Sequence, residues 1–181
     1  MLVGRKVVLR TVKASDLNTL FELTADVRDV GEHWPLQLSS EHLSRKRFEQ
    51  SGWWDGDLRV LLITDRDDRI LGQIVIFKAA VYQNAYEFGY RIFRPEDRGK
   101  GYMTEAVTLA AAFLFETERI DRIQATALPG NTGSQRVLEK CGFALEGTMR
   151  RAMFHRGRSE DLRLYALLRE DAPALSELLA E

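Results

Sequence analysis

The sequence predicts one α/β domain built on a mixed sheet, and three observations support this prediction. Strand-like and helix-like segments alternate along the chain, with no repeat, low-complexity tract or linker between them. A length of 181 residues fits a single domain with a substantial core. Hydrophobic residues make up 45% of the chain and charged residues 29%, which is typical of a globular rather than a disordered protein. We therefore expect one domain that spans residues 1–181.

The first half of the chain is predicted to contain a strand, two helices and a hairpin. The strand alternates and is rich in β-forming residues. A serine precedes each helical segment and can cap its N-terminus. Two β-rich runs flank a short polar tip, which predicts the hairpin. We place the strand at Lys6–Thr11, the helices at 15–24 and 40–50, and the hairpin strands at Leu58–Thr64 and Ile70–Lys78.

The second half is predicted to contain four strands and two helices. The longer helix has an apolar stripe, and the shorter one ends at Gly142, a residue type that often terminates helices. The last two strands flank a basic tip. We place the strands at Tyr86–Phe93, Ile123–Ala127, Phe143–Glu146 and Leu162–Leu168, and the helices at Thr104–Glu118 and Ser134–Cys141. The resulting order is β-α-α-β-β-β-α-β-α-β-β.

The run from Arg98 to Glu105 (RGKGYMTE) is the most informative motif of the chain. It lies between a predicted strand and a predicted helix, and Gly99 and Gly101 let successive backbone N–H groups converge on one point. The start of the helix adds a partial positive charge of roughly +0.5, and Arg98 and Lys100 add full charges. Such a set of amides suits phosphate or pyrophosphate, so the motif predicts a phosphorylated cofactor.

Charge and cysteine content narrow the function classes. The formal net charge of -1 argues against a dedicated nucleic-acid binder. The single cysteine, Cys141, excludes an internal disulfide and is compatible with a reducing cytosol. The N-terminus is too short and too charged for a signal peptide, and no apolar run approaches the ~20 residues that span a bilayer. We expect a cytoplasmic enzyme or binding protein without a membrane or nucleic-acid partner, and a homodimer is left open.

Three segments, in order, carry a resemblance to a known family. RGKGYMTEA resembles the pyrophosphate loop R-x-x-G-x-G/A of the GNAT superfamily of N-acetyltransferases. NTGSQRVLEKCGF resembles its N-x-x-S-x-x-V-L-E-K-x-G-F segment, and EGTMRR with EDLRLYALLRE resembles its closing hairpin. With a similar opening, the resemblance covers nearly the whole chain and is specific to ribosomal-protein N-terminal acetyltransferases (RimJ/RimL-like). Met103 departs from the motif, and it can serve there if its thioether points into the core.

The resemblance implies a central, mostly antiparallel twisted sheet with a splayed strand pair and helices on both faces. It implies acetyl transfer from acetyl-CoA to an amine by direct attack in a ternary complex. Backbone amides of the glycine-rich loop would hold the pyrophosphate, and the splayed strand would pair with the pantetheine amides. The cofactor-binding residues implied in this way are Ile92, Phe93, Arg98, Gly99, Lys100, Gly101, Tyr102, Met103, Thr104 and Asn131.

Glu87 and Ser134 are the predicted catalytic residues. In the family, the residue that matches Asn131 hydrogen-bonds the cofactor, and the one that matches Ser134 lies near its sulfur. Ser134 is therefore the predicted proton donor to the departing thiolate, with a purely structural helix start as the alternative. The acceptor amine must lose a proton before it attacks. Glu87, beside Gly89 on one strand face, is the predicted base, directly or through water; an exposed or arginine-paired glutamate is the alternative.

Several other residues have plausible structural roles. Tyr165 matches a recurrent tyrosine of the last strand. Core packing and contact with the cofactor sulfur explain its presence equally well. Cys141 is expected to be buried rather than to form an acetyl-cysteine. His33, His42 and His155 lack metal-ligand spacing, so no metal is predicted.

By resemblance, the acceptor groove lies between the first two helices and the final hairpin. Aromatic residues in these pieces could wall a pocket, and core packing is the alternative for each tryptophan. The predicted substrate contacts are Trp34, Trp53, Trp54 and Phe154. Two charged patches border the groove, one basic (Arg150, Arg151, Arg156 and Arg158) and one acidic (Asp26, Asp29 and Glu32). Because the patches have opposite charge, they do not indicate which class of acceptor binds.

The sequence thus predicts an acetyl-CoA-dependent N-acetyltransferase that acts on a primary amine, and the resemblance favours a protein N-terminal α-amine. A small-molecule amine, such as a polyamine, an amino acid derivative or an antibiotic, is the alternative acceptor. A non-catalytic acyl-CoA-binding protein is less favoured, because Glu87 and Ser134 would then have no use. A nucleic-acid or ribosome-surface module that uses the basic hairpin is disfavoured by the overall charge.

Overall fold

The computed structural model describes residues 1–28, 30–36, 38–56, 58–80 and 82–180. Within these ranges the chain forms one 8-stranded sheet in the order β1-β2-β3-β4-β5-β6-β8-β7. The strands are Leu2–Val3 (β1), Val8–Thr11 (β2), Leu58–Thr64 (β3), Ile70–Lys78 (β4), Ala85–Ile92 (β5), Arg122–Ala127 (β6), Ala144–His155 (β7) and Arg158–Leu168 (β8). The α-helices are Leu17–Glu22 (α1), Glu41–Ser51 (α2), Tyr102–Thr117 (α3), Thr132–Lys140 (α4) and Leu175–Leu178 (α5).

The sheet is antiparallel except where β5 and β6 run parallel, on either side of the crossover helix α3. The parallel pairing is short and stops at Glu87, which lies opposite Gln124. Beyond this point β5 continues to pair with β4 as far as Ile92, whereas β6 continues to pair with β8. The two strands therefore splay apart, as predicted, and a gap opens at the middle of the sheet.

Apolar residues cover both faces of the sheet, and β3 shows how the sequence achieves this. Leu61 and Ile63 join the cluster that contains α3, whereas Val60 and Leu62 join the cluster that contains α1 and residues of α2. Side chains alternate along a strand, so an unbroken apolar run can feed two cores at once. The helices on both faces confirm the predicted fold class, and they hold β5 and β6 in place around the gap.

The closing hairpin is much longer than predicted. β7 and β8 are joined by Arg156 and Gly157, whose φ values of 48° and 87° are typical of a two-residue type I′ turn. The prediction placed only the inner parts of these strands, because the outer part of β7 is exposed and charged and carries no apolar alternation. Backbone pairing, rather than burial, defines the strands there.

Other differences from the prediction are small. The strand β1 and the helix α5 were missed, because 2 and 4 residues are too few to show a period. Helices α3 and α4 begin slightly earlier than predicted, since Gly101 and Asn131 are their N-caps. In the described ranges, no helix is both long enough and apolar enough to cross a membrane.

Candidate active site

A cleft of about 490 Å³ opens on the gap between β5 and β6. Its walls come from the segment 30–34, the end of β5, the loop before α3 and the first turns of α4. The cleft brings together four features that the sequence analysis identified separately: Ile92, the glycine-rich turn, Asn131 and Ser134. These pieces meet because β5 ends, and α3 and α4 begin, at the same edge of the gap.

The glycine-rich turn forms the start of α3. Gly99 and Gly101 have φ values of 75° and 83°, in the left-handed region that glycine adopts at low cost. Gly101 is the N-cap, and no side chain of the described residues caps this helix, so the first amides of α3 are open to an anion. The Arg98 amide is not open to an anion, because it donates to the Pro95 carbonyl (3.0 Å). Met103 is buried in the core, as its place in the turn requires.

Basic side chains surround this end of the cleft. Arg98 lines it, and α4 adds Arg136 and Lys140, which lie one helical turn apart. Lys100 instead pairs with Asp97 at 3.5 Å. Hydrogen bonds and charge from the arginine at position 69 hold the pKa of Asp97 below its usual range. Open amides together with the cations of Arg98, Arg136 and Lys140 suit the phosphate groups of an anionic ligand.

The strand β5 presents backbone polar groups to the gap. Successive residues of a strand point their N–H and C=O groups to opposite edges. Phe93 donates its N–H to the Leu71 carbonyl (3.0 Å), so Phe93 faces β4 and the preceding Ile92 faces the gap. Of the two predicted pantetheine partners, only Ile92 therefore offers its amide. A ligand that contains amides can add to this edge as an extra strand.

Asn131 and Ser134 lie where α4 meets the cleft. Asn131 caps the helix, because its Oδ1 accepts from the Ser134 amide (3.1 Å). The Ser134 hydroxyl takes no part in the cap, and its Oγ lies 2.9 Å from Tyr90 Oη. Burial raises the pKa of Tyr90 above its usual value, so this hydroxyl stays protonated at neutral pH. The two hydroxyls can hold and pass on a proton at the cleft wall.

Glu87 lies at the closed end of the gap, on the opposite sheet face from Tyr90. Its carboxylate accepts from Gln124 Nε2 (2.9 Å) and from Thr126 Oγ1 (3.0 Å), both on β6. In the part of the chain that the structure describes, no arginine pairs with Glu87, so the arginine-paired alternative does not hold. Two neutral donors fix the orientation of the carboxylate without neutralising its charge.

The segment 30–36 covers the groove on this face. The ring of Trp34 comes within 3.8 Å of the position that a β-carbon at Gly89 would occupy. The tip of the closing hairpin holds the segment down: His155 Nε2 donates to the Glu32 carbonyl (2.7 Å), and Arg156 Nε donates to the same carbonyl (3.2 Å). Arg156 is thus a structural contact rather than a solvated charge.

Comparison with known proteins agrees with this geometry. Residues 6–144 match the family model described as an acetyltransferase (GNAT) domain. The chain belongs to the GNAT family. It is therefore an N-acetyltransferase, that is, an acyltransferase enzyme.

Individual GNAT relatives match almost the whole chain. One is the probable N-acetyltransferase YjcK of Bacillus subtilis, 31% identical over 180 residues that cover 94% of this chain and 98% of YjcK. A spermidine N-acetyltransferase from Vibrio cholerae, solved in complex with CoA and spermine, superimposes with a TM-score of 0.79 at 20% identity over 92% of this chain and 97% of that one. A ribosomal-protein-S5-alanine acetyltransferase from Vibrio fischeri superimposes with a TM-score of 0.76 at 22% identity, with coverages of 93% and 96%. The two structures share the GNAT fold with this chain.

The predicted aromatic substrate contacts of this GNAT domain separate into different places. Trp34 lies over the groove, as described above. Trp53 packs edge-to-face against Phe48 beneath α2, and Trp54 packs against the cluster that contains α3, on the other sheet face from Glu87. Phe154 is 75% exposed near the hairpin tip. The tryptophans at 53 and 54 thus pack against the two core clusters, and neither lines the cleft.

Two of the three residues of the predicted acidic patch lie in the described ranges. Asp26 pairs with Arg28, and Glu32 is exposed on the cleft wall. Asp29 lies outside the described residues.

Two further residues considered in the sequence, Cys141 and Tyr165, are buried. Cys141 Sγ lies 3.3 Å from the Thr104 carbonyl, and burial raises the pKa of Cys141 to about 11, so it remains a thiol at neutral pH. Tyr165 is 1% exposed and packs in the core. Among the described residues, no group of three or more His, Cys, Asp or Glu side chains is placed to hold a metal ion.

Several side chains of the GNAT site were not predicted from the sequence. Tyr90 shares a strand face with other aromatic residues and reads as a core residue. Arg136 and Lys140 could have been predicted from the sequence, because they lie one turn apart on the helix that starts at Asn131. Lys6 carries no such signal in the sequence: its amide donates to the Glu105 carboxylate (2.9 Å) and so supports the glycine-rich turn from 99 residues away.

Proposed function

We propose that this GNAT enzyme acetylates the α-amine of a protein N-terminus by direct attack on acetyl-CoA in a ternary complex. The observation that carries the proposal is the β5–β6 gap, which has the Ser134–Tyr90 hydroxyl pair on one face and the Glu87 carboxylate on the other. Two substrates can approach such a gap from opposite faces and meet at its centre. Direct transfer then needs no acyl-enzyme nucleophile, and the buried thiol of Cys141 is not suited to be one.

The residues of the cleft fit acetyl-CoA as the co-substrate. The amides from Gly99 to Thr104 would hold the pyrophosphate, and Arg98, Arg136 and Lys140 would pair with phosphate charges. The backbone of Ile92 would bond the pantetheine arm, and Asn131 lies beside it on the cleft wall. When bound there, acetyl-CoA supplies an activated acyl group as a thioester.

Glu87 would prepare the amine for attack. An α-amine has a pKa near ~8 and is mostly protonated in the cell, so it must give up a proton before its nitrogen can form an amide. The Glu87 carboxylate, held by Gln124 and Thr126, would take this proton directly or through a water molecule.

Ser134 would supply the compensating proton on the other face. Its hydroxyl can donate to a departing sulfur and be reprotonated by Tyr90 Oη, 2.9 Å away. The proton balance is then kept: of the two protons that the ammonium loses, Glu87 takes one before the attack, and the second, released from the nitrogen as the amide forms, replaces the one that Ser134 gives to the sulfur.

The charges on the groove side of β5 bear on the identity of the amine. The names of the two solved relatives cover an alanine of a ribosomal protein and a polyamine. On its groove side, β5 carries a single carboxylate, that of Glu87, and one cation, that of Arg91. A polyamine with several ammonium groups would need more negative charge than this, so we favour the α-amine. A small-molecule amine is the alternative.

Free-thiol release from acetyl-CoA with a panel of acceptors tests the proposal. Peptides with free N-termini should support turnover, while the same peptides with blocked N-termini should not. Mass spectrometry of the products should place the acetyl group on the α-nitrogen. Turnover with polyamines or antibiotics but with no peptide would instead favour the alternative. Thiol release with no acceptor at all, together with tight acetyl-CoA binding, would contradict the catalytic role.

A further inference from the structure

Arg91 lies in the cleft without an ion-pair partner among the residues that the structure describes. Its side chain lies on the groove side of β5 and lines the cleft. The guanidinium carbon lies 4.8 Å from the centre of the Trp34 ring and 4.9 Å from that of Phe93. Its Nε is buried and has no hydrogen-bond partner, and the guanidinium forms no ion pair or hydrogen bond with any described residue.

Nearby acidic residues do not compensate this charge. Glu32 and Asp97 line the same cleft, but Asp97 is engaged by Arg69 (2.9 Å) and neither contacts Arg91. Opposite Arg91 on the neighbouring strand lies Gln73, which is neutral. Glu87 shares the strand face but lies four residues away, about 13 Å along an extended strand.

Arg91 is half-buried with its Nε shielded from solvent, and a cation held in this way without a partner among the described residues is costly, which points to a ligand. Burial lowers the pKa of Arg91 to about 10, which leaves the group charged at neutral pH. Desolvation without hydrogen bonds is unfavourable, and the two aromatic rings offset only part of this loss. The guanidinium keeps its planar set of N–H donors for a partner that none of the described residues provides.

We propose that Arg91 is an anion subsite of the acceptor groove and binds a carboxylate carried by the acceptor. The inference rests on the proposed function, because it takes the reacting amine to lie near Glu87. The distance between Glu87 and Arg91 then limits the acceptor: its carboxylate lies on the order of 7–13 Å from the amine, the span of two to four residues of extended peptide. An acidic side chain shortly after a protein N-terminus meets this requirement, and so does a small amine with a distant carboxylate.

A purely structural role for Arg91 makes a different prediction. If Arg91 only clamps Trp34 onto the sheet, its removal affects every acceptor equally. A carboxylate subsite instead changes the ratio between acidic and neutral acceptors. This ratio is the quantity to measure.

The test uses peptides that differ only by aspartate or asparagine at the second, third or fourth position, plus small amines with a free or an amidated carboxylate. For the unmodified enzyme we expect kcat/KM to be about 10- to 100-fold higher for the aspartate peptide at one of these positions. In Arg91→Met, whose unbranched stem can still lie between the rings, the ratio should fall close to one. Arg91→Lys should keep part of it. The control Arg119→Met, an exposed arginine beyond the far end of α3, should keep the full ratio.

Each outcome separates the subsite from the proposed function. Equal rates for aspartate and asparagine peptides would overturn the subsite while leaving N-terminal acetylation intact. Selectivity confined to the small amines would keep the subsite and reject the peptide acceptor. An equal loss of kcat/KM for both peptide types in Arg91→Met would show that Arg91 only holds Trp34 on the sheet. If the variants do not fold, acetylated aspartate peptides should still inhibit the unmodified enzyme about tenfold more strongly than asparagine ones, and equal inhibition would overturn the subsite.

Discussion

Tyr90 Oη and Ser134 Oγ lie 2.9 Å apart, and they join the splayed strand β5 to the start of α4. The two residues are 44 positions apart in the chain. Ser134 also donates its amide to the capping side chain of Asn131, so its backbone takes part in the cap while its hydroxyl is left for the cleft. A proton donor is thereby held at a helix terminus that cannot shift without losing its cap.

Ser134→Ala tests the hydroxyl without disturbing the cap, since the amide that bonds Asn131 remains. We expect kcat to fall about 100-fold and the dissociation constant for acetyl-CoA to stay the same. Steady-state kinetics and calorimetry measure the two quantities. Tyr90→Phe should lower kcat as well, and the double variant should be no slower than the slower single one if the hydroxyls act as a unit. Unchanged turnover in Ser134→Ala would remove Ser134 from the mechanism.

Glu87→Gln tests the base. The substitution keeps the shape of the side chain but removes its ability to take a proton, so kcat/KM should fall by about 10²- to 10⁴-fold. Thr126→Val, which removes one of the two donors that orient the carboxylate, should cause a smaller loss. The measurement is the pH–rate profile of each variant with one peptide acceptor. A profile for Glu87→Gln identical to that of the parent would contradict the assignment.

Gly101→Ala tests the anion site at the start of α3. Gly101 has a φ of 83°, and an added β-carbon would lie 3.1 Å from Lys6 Nζ. An alanine there is strained by about 1–2 kcal/mol, and relief of the strain moves the amides that face the cleft. We expect acetyl-CoA to bind about tenfold more weakly in calorimetry.

Gly52→Ala is the matched control for this change. Gly52 also has a positive φ, 63°, but it ends α2 and has nothing within 4 Å of an added β-carbon. The Gly52→Ala variant should have a lower melting temperature but an unchanged affinity for acetyl-CoA. Equal affinities in the two variants would contradict a cofactor role for the glycine-rich turn.

Asp16→Asn should lower the stability of the fold without affecting catalysis. Asp16 accepts two hydrogen bonds from Arg10, at 2.7 and 3.0 Å, and both residues are buried. Burial by itself raises the pKa of Asp16, but the hydrogen bonds from Arg10 and from the Lys13 amide outweigh it and lower the pKa below its usual value. Loss of this charge should cost about 3 kcal/mol of unfolding free energy, measured by urea denaturation at pH 7.

The same lowered pKa fixes the sign of the pH dependence. The contribution of Asp16 is complete above the unfolded value of about 3.9 and is lost as the pH falls through the lower folded value. The stability difference between parent and Asp16→Asn should therefore shrink in acid. Asp26→Asn, which breaks an exposed pair with Arg28, should change stability little at either pH. A difference that is equal at pH 7 and in strong acid would contradict the assignment.

Cys141→Ala should retain turnover within about twofold, because the thiol is not part of the reaction. Burial raises the pKa of Cys141 to about 11, so a thiol reagent should label the native chain slowly at pH 8 and the chain in urea rapidly. The stability that the buried thiol contributes is complete below its ordinary pKa and is lost as the pH rises towards 11. Rapid labelling of the native chain that also stops turnover would contradict this account.

The sequence by itself determined the fold class, most strand and helix positions and the glycine-rich turn. These follow from local rules. Leu58–Thr64 and Ile70–Lys78 show the length and composition of strands, and glycines at 99 and 101 are among the few residues that tolerate a left-handed turn. The outer part of β7 escaped prediction because it is held by pairing with β8, which leaves no apolar pattern in the residues themselves.

Only the tertiary structure decided what these elements bring together. It placed Trp54 on the far side of the sheet from Glu87, turned the Phe93 amide towards β4, and set Tyr90 beside Ser134. It also left Arg91 beside two aromatic rings, with no anionic partner in the part of the chain that the structure describes. Local sequence sets which way a side chain can point, but a site depends on which strands stop pairing and where, and that is settled by contacts between residues far apart in the chain.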